Sequence, residues 1–410
     1  MNKWFDVVPE EPEGDLPPSG STPTGESPPD AEGRPTPPPT TRTGGLTDPS
    51  TYVVASCLNH QIVMLADQRC VSQHLNFVAD LVPELHRAGV SDLAWEFTNT
   101  RRQEDLDRLT TSSRWDQELC NDLFVDLMGV GHGYREYAAV LEAVWRHNSE
   151  LDPEVEPFRV VALGLTSFVE DPDLLEGRSA ADTELRDWWM GGHYPDITSR
   201  HMANVLTTEV IQRGRRALVY GDAERTTTRV VLWDGDIPFL SAGRLLRNWM
   251  AEGIKGLMFH GALPDNFSLR KAEELIEASP DPEEVFGIDL DRSTLGDVRV
   301  HDLEGCTSGA RNLLTLADFA DGYIHLVPRA RWEVAELIEG LLRPETLAEA
   351  ERRHRALVPR EEPYTPEELE DSRREGRRAV TGAWPEIPAR SQTEPPPGGR
   401  SRTRRRFRRS

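Results

Sequence analysis

Short apolar runs alternate along this chain with stretches whose apolar residues fall at helical spacing. No other feature narrows its fold as much. The first run is "QIVMLA", a short buried strand. Leu75, Val78, Leu81, Val82 and Leu85 then recur on one helical face, with Gly89 as a stop. Pro83 is expected to kink that helix. "DLAWEF" reads as the second strand and "FRVVALGL" as the third. "RALVY" is the fourth, "IKGLMFHG" the fifth and "DGYIHLVP" the sixth. Between them, "CNDLFVDLMGV", "YREYAAVLEAVWRHN" and "MANVLTTEVIQRG" are helical. In the last, Met202, Val205, Leu206 and Val210 share a face, and Gly214 ends it. Strands alternating with helices predict an α/β fold, a mostly parallel central sheet flanked by helices.

This pattern occupies residues 51–330. Ahead of it, residues 9–50 contain twelve prolines among Ser, Thr, Gly and Glu. Such a segment buries too little apolar surface to offset its ordering entropy, so residues 1–50 are expected to be disordered. Residues 331–380, with "PETLAEAERRHRAL" and "TPEELEDSRREGRR", read as appended polar helices. Residues 381–410 read as a disordered Arg-rich tail, with seven Arg in the last eleven residues.

The chain has 47 Lys+Arg against 70 Asp+Glu, a net charge of −23, which argues against a body that binds nucleic acid through phosphates. The basic tail is suited to contact nucleic acid or an anionic surface, or to stay solvated. No apolar stretch reaches the roughly 18 residues of a membrane helix. The N-terminus lacks the apolar core of a signal peptide. Four cysteines (Cys57, Cys70, Cys120, Cys306) form no CxxC pair, which fits a reduced, cytoplasmic chain.

In open parallel sheets, ligands bind beyond the carboxyl ends of the strands. The polar residues found there are Asp67, Gln68 and Arg69 after the first strand, with Gln73 and His74 a turn later. Glu96 ends the second strand, Asp222, Glu224 and Arg225 follow the fourth, and His260 follows the fifth. A single Asp after a strand is most often a helix N-cap. An isolated His is more often packed or on the surface. Glu96 is harder to read as incidental, because a carboxylate inside an apolar strand is costly without a partner. Arg69 or Arg225 would supply one. Together these residues define a candidate rim.

Other motifs are weaker. "GVGHGYREY" is Gly-rich but lacks the Lys-Ser/Thr of a phosphate loop. It reads as a mobile connection, with His132, Tyr134 and Glu136 as pocket candidates. "DWWMGGHYPD" places Trp188, Trp189, His193 and Tyr194 where they could floor a pocket or fill a core. No G-x-S-x-G elbow and no H-E-x-x-H helix occurs.

The arrangement resembles the erythromycin-esterase-like, ChaN-like (haem-uptake) and Tiki superfamily over about residues 51–330. "ADQR" sits where that family's first strand ends in Gly-Glu-x-His, and Glu96 sits where its second strand ends in Glu. "RHMANV" is similar to the Arg, Met-Ala-x-Asn segment of the esterase branch. "LVYGDAERTTT" is similar to the second His motif. Both motif histidines are Arg here, at 69 and 225. Arg neither accepts a proton near neutral pH nor binds a metal, but it can hold a carboxylate or phosphate bidentately.

Two functions follow as expectations. In the first, the chain is a divergent hydrolase of a small anionic or ester substrate. Glu96 or Asp67 activates water, with Glu224 as a further candidate carboxylate, and His74 or His260 assists. Arg69 and Arg225, with Asp222, His132 and Glu136, bind the ligand. In the second, catalysis is lost and the pocket holds a small ligand such as haem or an anion, or the protein is a scaffold. No cofactor is specified.

Overall fold

The computed structural model describes residues 45–128, 133–165, 194–234, 237–263, 267–268, 270–277, 279, 281, 283–302, 314–357, 360 and 362–382. The Arg-rich tail from residue 383 onward, and the Pro-rich segment up to residue 44, lie outside the described residues; the first two residues assigned to the tail, 381 and 382, end the last helix. The folded chain starts before the boundary expected at residue 50. Thr47 pairs with Gly287, and the Asp48 side chain accepts the Thr51 amide at 2.9 Å to cap the helix Pro49–Asn59.

The strands, in chain order, are β1 Ile62–Asp67, β2 Asp92–Asn99, β3 Arg159–Gly164, β4 Ala217–Asp222, β5 Leu232–Asp234, β6 Ile237–Phe239, β7 Ile254–Phe259, β8 Phe267–Ser268, β9 Phe286–Asp289, β10 His301–Asp302 and β11 Gly322–His325. Among the described residues, seven form one sheet in the order β3-β2-β4-β1-β7-β11-β9. Every pairing is parallel except β11 with β9. The six expected strands are all present. The edge strand β9 is an addition that the six-strand reading lacked. β5 with β6, and β8 with β10, form small antiparallel pairs.

β1 is buried at every position because it has a parallel neighbour on each side and packed layers on both faces. Its side chains alternate between two cores. Val63 and Leu65 join the larger one, with Trp95 and Tyr220. Ile62 and Met64 join the smaller one, with the helices Tyr194–Leu206 and Ala242–Met250. After β1, the helix Ser72–Arg87 buries Leu75, Val78, Leu81, Val82 and Leu85, as its spacing predicts. It runs as one helix with Pro83 inside and closes at Gly89, whose φ is +81°.

The helices expected after residue 331 are Pro344–Leu357 and Pro366–Gly382. The stretch before them is not helical. It is an extended strap that pairs with the turn after β1 and with the chain entering the helix Arg135–Ser149, through Val71 with Val334 and Tyr134 with Leu337. No helix among the described residues is long and apolar enough to cross a membrane.

Candidate functional site

β4 inserts between β1 and β2, and this places three carboxylates side by side. Asp67, the last residue of β1, is the register partner of Asp222, the last of β4. Both are buried. Arg69 Nε donates to Asp222 Oδ2 at 2.7 Å, and its Nη2 reaches the same oxygen. Burial alone would raise the Asp222 carboxyl, but Arg69 and Arg225 hold it below its usual range. Asp67 is pushed well up, by burial first and by the neighbouring Asp222 charge among the lesser causes.

Glu96 follows Trp95, whose register partner is Tyr220, so its side chain crosses Gly221. Glu96 Oε2 accepts the Asp222 amide at 2.7 Å. A Cβ at residue 221 would collide with that same oxygen, so only glycine leaves room for the contact. Burial, then the Asp222 charge, raise Glu96 to about 7, against the pull of Arg225. Glu96 therefore changes charge near neutral pH, while Asp222 beside it stays ionised.

Arg225 lies buried in the short helix Ala223–Thr226. Its Nη1 donates to Glu224 Oε2 at 3.4 Å, and its Nε has no hydrogen-bond partner among the described residues. The turn after β1 is tight: Cys70 adopts φ 63°, a conformation uncommon for a side chain other than glycine.

The second half of the rim is aromatic and imidazole-rich. Asp67 Oδ1 and His74 Nδ1 are hydrogen-bonded at 3.0 Å. Asp67 is therefore no helix cap: the helix starts at Ser72, and Val71 at its cap makes no side-chain bond. The Tyr220 hydroxyl stands beside Asp67. Neither it nor Asp67 Oδ2 closes a well-formed hydrogen bond among the described residues. His74 stacks on Phe259, with centroids 4.2 Å apart, and burial lowers it to about 3. His260, just past β7, bonds the Tyr323 hydroxyl through Nδ1. Burial, then His325 and Arg329, keep it well below the ordinary imidazole range. Trp332 sets its ring edge-on to both imidazoles, 5.8 Å from His74 and 6.0 Å from His260.

The structure thus gathers Asp67, Arg69, Glu96, Asp222, Glu224 and Arg225 at the ends of β1, β2 and β4, with His74 and His260 beside them. Arg69 and Arg225, expected to hold a ligand, are engaged by the protein's own Asp222 and Glu224. Glu136 lies apart from this cluster. Its carboxylate accepts the Ser72 hydroxyl at 2.5 Å and the Glu336 amide at 2.8 Å, tying chain segments together. His132, Trp188, Trp189 and His193 lie outside the described residues, as does the side chain of Tyr194.

Sequence reasoning missed Gly221, Tyr220, His325 and Trp332. A glycine inside an apolar strand is a recognisable sign of close approach. Nothing local marks Trp332. No group of three or more His, Cys, Asp or Glu among the described residues is placed to hold a metal ion.

Fold and rim define the class: an α/β protein with a charged, partly buried cluster at the carboxyl ends of a parallel sheet. No protein-family model matches the chain, and no curated protein matches it. Among solved structures it is similar to a succinoglycan biosynthesis protein, at 12% identity over 67% of this chain and 89% of that one, with a TM-score of 0.48. It is also similar to a protein from Bacillus cereus, at 11% identity over 70% and 94%, with a TM-score of 0.40. A third likeness is to the type III effector HopBA1, at 12% identity over 53% and 87%, with a TM-score of 0.35. Likenesses this distant carry no functional argument.

Proposed function

We propose that the protein is a hydrolase of a small ester or anionic substrate, divergent from the erythromycin-esterase and ChaN-like pattern that its motifs resemble. One observation carries this reading: two touching acidic residues whose environments push their protons apart. Asp222 is held ionised, and Glu96 is raised to about 7. Such a split suits a working acid or base beside a fixed charge.

In this reading Glu96 takes a proton from the attacking water and returns it to the leaving group. Its Oε2 is held by the Asp222 amide, and no hydrogen bond to the described residues occupies Oε1. The charge of the Arg225 guanidinium, whose Nε is buried and unpaired among the described residues, in this reading stabilises the negative charge that develops on the substrate. The Asp67–His74 pair supports the turn that carries Arg69.

The second reading is a non-catalytic protein that holds haem or an anion. The internal pairing of Arg69 and Arg225 favours it, since chemistry at the two motif positions is spent on the protein itself. A panel of p-nitrophenyl acetate, butyrate and phosphate separates the two. The hydrolase reading expects turnover that rises through about pH 7, and Glu96→Gln lowering kcat/KM by about 10²–10⁴-fold. Equal rates in wild type and Glu96→Gln would remove Glu96 from the chemistry. No turnover, together with a thermal shift on adding haem or phosphate, would establish the binding reading.

A further inference from the structure

The strap that follows the last strand crosses the rim. Its backbone is held on one side by the chain around the site. The Ser72 amide donates to Glu333 O at 2.8 Å, and the Ala335 amide to Cys70 O at 2.9 Å. The Arg135 amide donates to Glu336 O at 2.7 Å, and the Ile338 amide to Gly133 O at 2.9 Å. Among the described residues no further strand covers its other side. Two arginines of the helix Pro366–Gly382 complete it. Arg377 Nε donates to Ala335 O at 3.0 Å. Arg373 Nη2 donates to Ile338 O at 2.9 Å and to Gly133 O at 3.1 Å. The inner end of the strap carries Trp332. That ring is partly exposed, while the two imidazoles it abuts, His74 and His260, are only 1% and 3% exposed. Trp332 is thus one of the rings that cover these imidazoles, and the more exposed face of that cover. Gly261, at φ +85°, lies directly under the ring, where any side chain would collide with it.

We propose that residues 329–341 form a gate over the His74–His260 end of the rim, with Trp332 as its plug and Arg373 and Arg377 as its latch. The gate regulates the site proposed above and rests on that reading for its purpose, though not for its existence. A latch made of guanidinium groups on carbonyls differs from a paired strand in one respect. Opening breaks these charge-assisted bonds and the four backbone bonds on the strap's other edge, and draws Ala335, Ile338 and Leu341 out of the core, without unzipping the seven-stranded sheet. The turn after β1, which bears Arg69 and Cys70, is bonded to the strap and loses that support when the gate lifts.

Hydrogen exchange on the full chain tests the gate without any substrate, so its outcome is independent of the hydrolysis panel. The amides of Ser72, Arg135, Ala335 and Ile338 should exchange at least about tenfold faster than those of β1. Arg377→Ala should speed them about tenfold more and leave β1 unchanged. In parallel, diethyl pyrocarbonate should modify His74 and His260 slowly in wild type, and at least about tenfold faster in both Trp332→Ala and Arg377→Ala. Strap amides that exchange at the β1 rate would show that the strap opens only together with the sheet, and overturn the proposal. So would Arg377→Ala exposing β1 equally, or imidazoles that stay unmodified in Trp332→Ala.

Discussion

Gly221 shows how one missing side chain can set the chemistry of a neighbour. Glu96 reaches the Asp222 amide only because nothing projects from residue 221. Gly221→Ala should swing the Glu96 carboxylate off that amide. The loss of one hydrogen bond to a charged acceptor should lower stability by about 1–2 kcal/mol, read from urea unfolding. Any Glu96-dependent hydrolysis should fall with it, toward the level of Glu96→Gln. Unchanged stability and rate would mean that the carboxylate has another resting place. Asp222→Asn probes the same pair from the other side. Removing the adjacent negative charge should move the Glu96 titration, followed by the pH–rate profile, below about 7. At this scale the sequence was informative about residue types but not about their states. Asp67, Glu96, Asp222 and both arginines could be picked out by their place after a strand. Their protonation depends on neighbours contributed by other strands.

Elements were legible where burial imposes a period. β1 to β4, β7 and β11 could be recognised because each is a short apolar run, and the helix Ser72–Arg87 because its apolar residues keep one face. β9 was not, since four residues at the antiparallel edge carry little periodic signal. The strap was read as part of the polar helices that follow it. Its partners lie far off in sequence: Gln73 donates to Arg331 O across 258 residues. A test at this scale is Gly261→Ala. A side chain at φ +85° is strained, and its Cβ would push Trp332 out of place. The cost should be about 2 kcal/mol, lowering Tm by roughly 3 °C in a folded unit of this size. A smaller shift would mean that the Trp332 contact is loose.

For the whole molecule, the raised pKa of Glu96 links the site to folding. Glu96 titrates near 7 when folded and near its ordinary value of 4.5 when unfolded. Between these values the folded state binds the extra proton. The contribution is fully present below about 4.5 and is lost as pH rises through about 7. Above pH 7 the folded protein carries an ion that it holds at a cost. Glu96→Gln removes that ion, so it should be more stable than wild type at pH 8, by on the order of 2 kcal/mol. The difference should shrink toward zero by pH 5. Equal stabilities at both pH values, measured by urea unfolding, would show that Glu96 is not raised.

By itself the sequence determined the α/β class, the identity of most strands and the residue types available at the rim. Burial on both faces forces short apolar runs, and helix packing forces a 3.6-residue period, so both are written locally. Strand order is not written locally. Only the tertiary structure set β4 between β1 and β2, which put Asp222 against Asp67 and under Glu96. It alone brought Trp332 over His74 and His260. These contacts join segments far apart in the chain, and their energies depend on mutual burial and charge that no single segment contains.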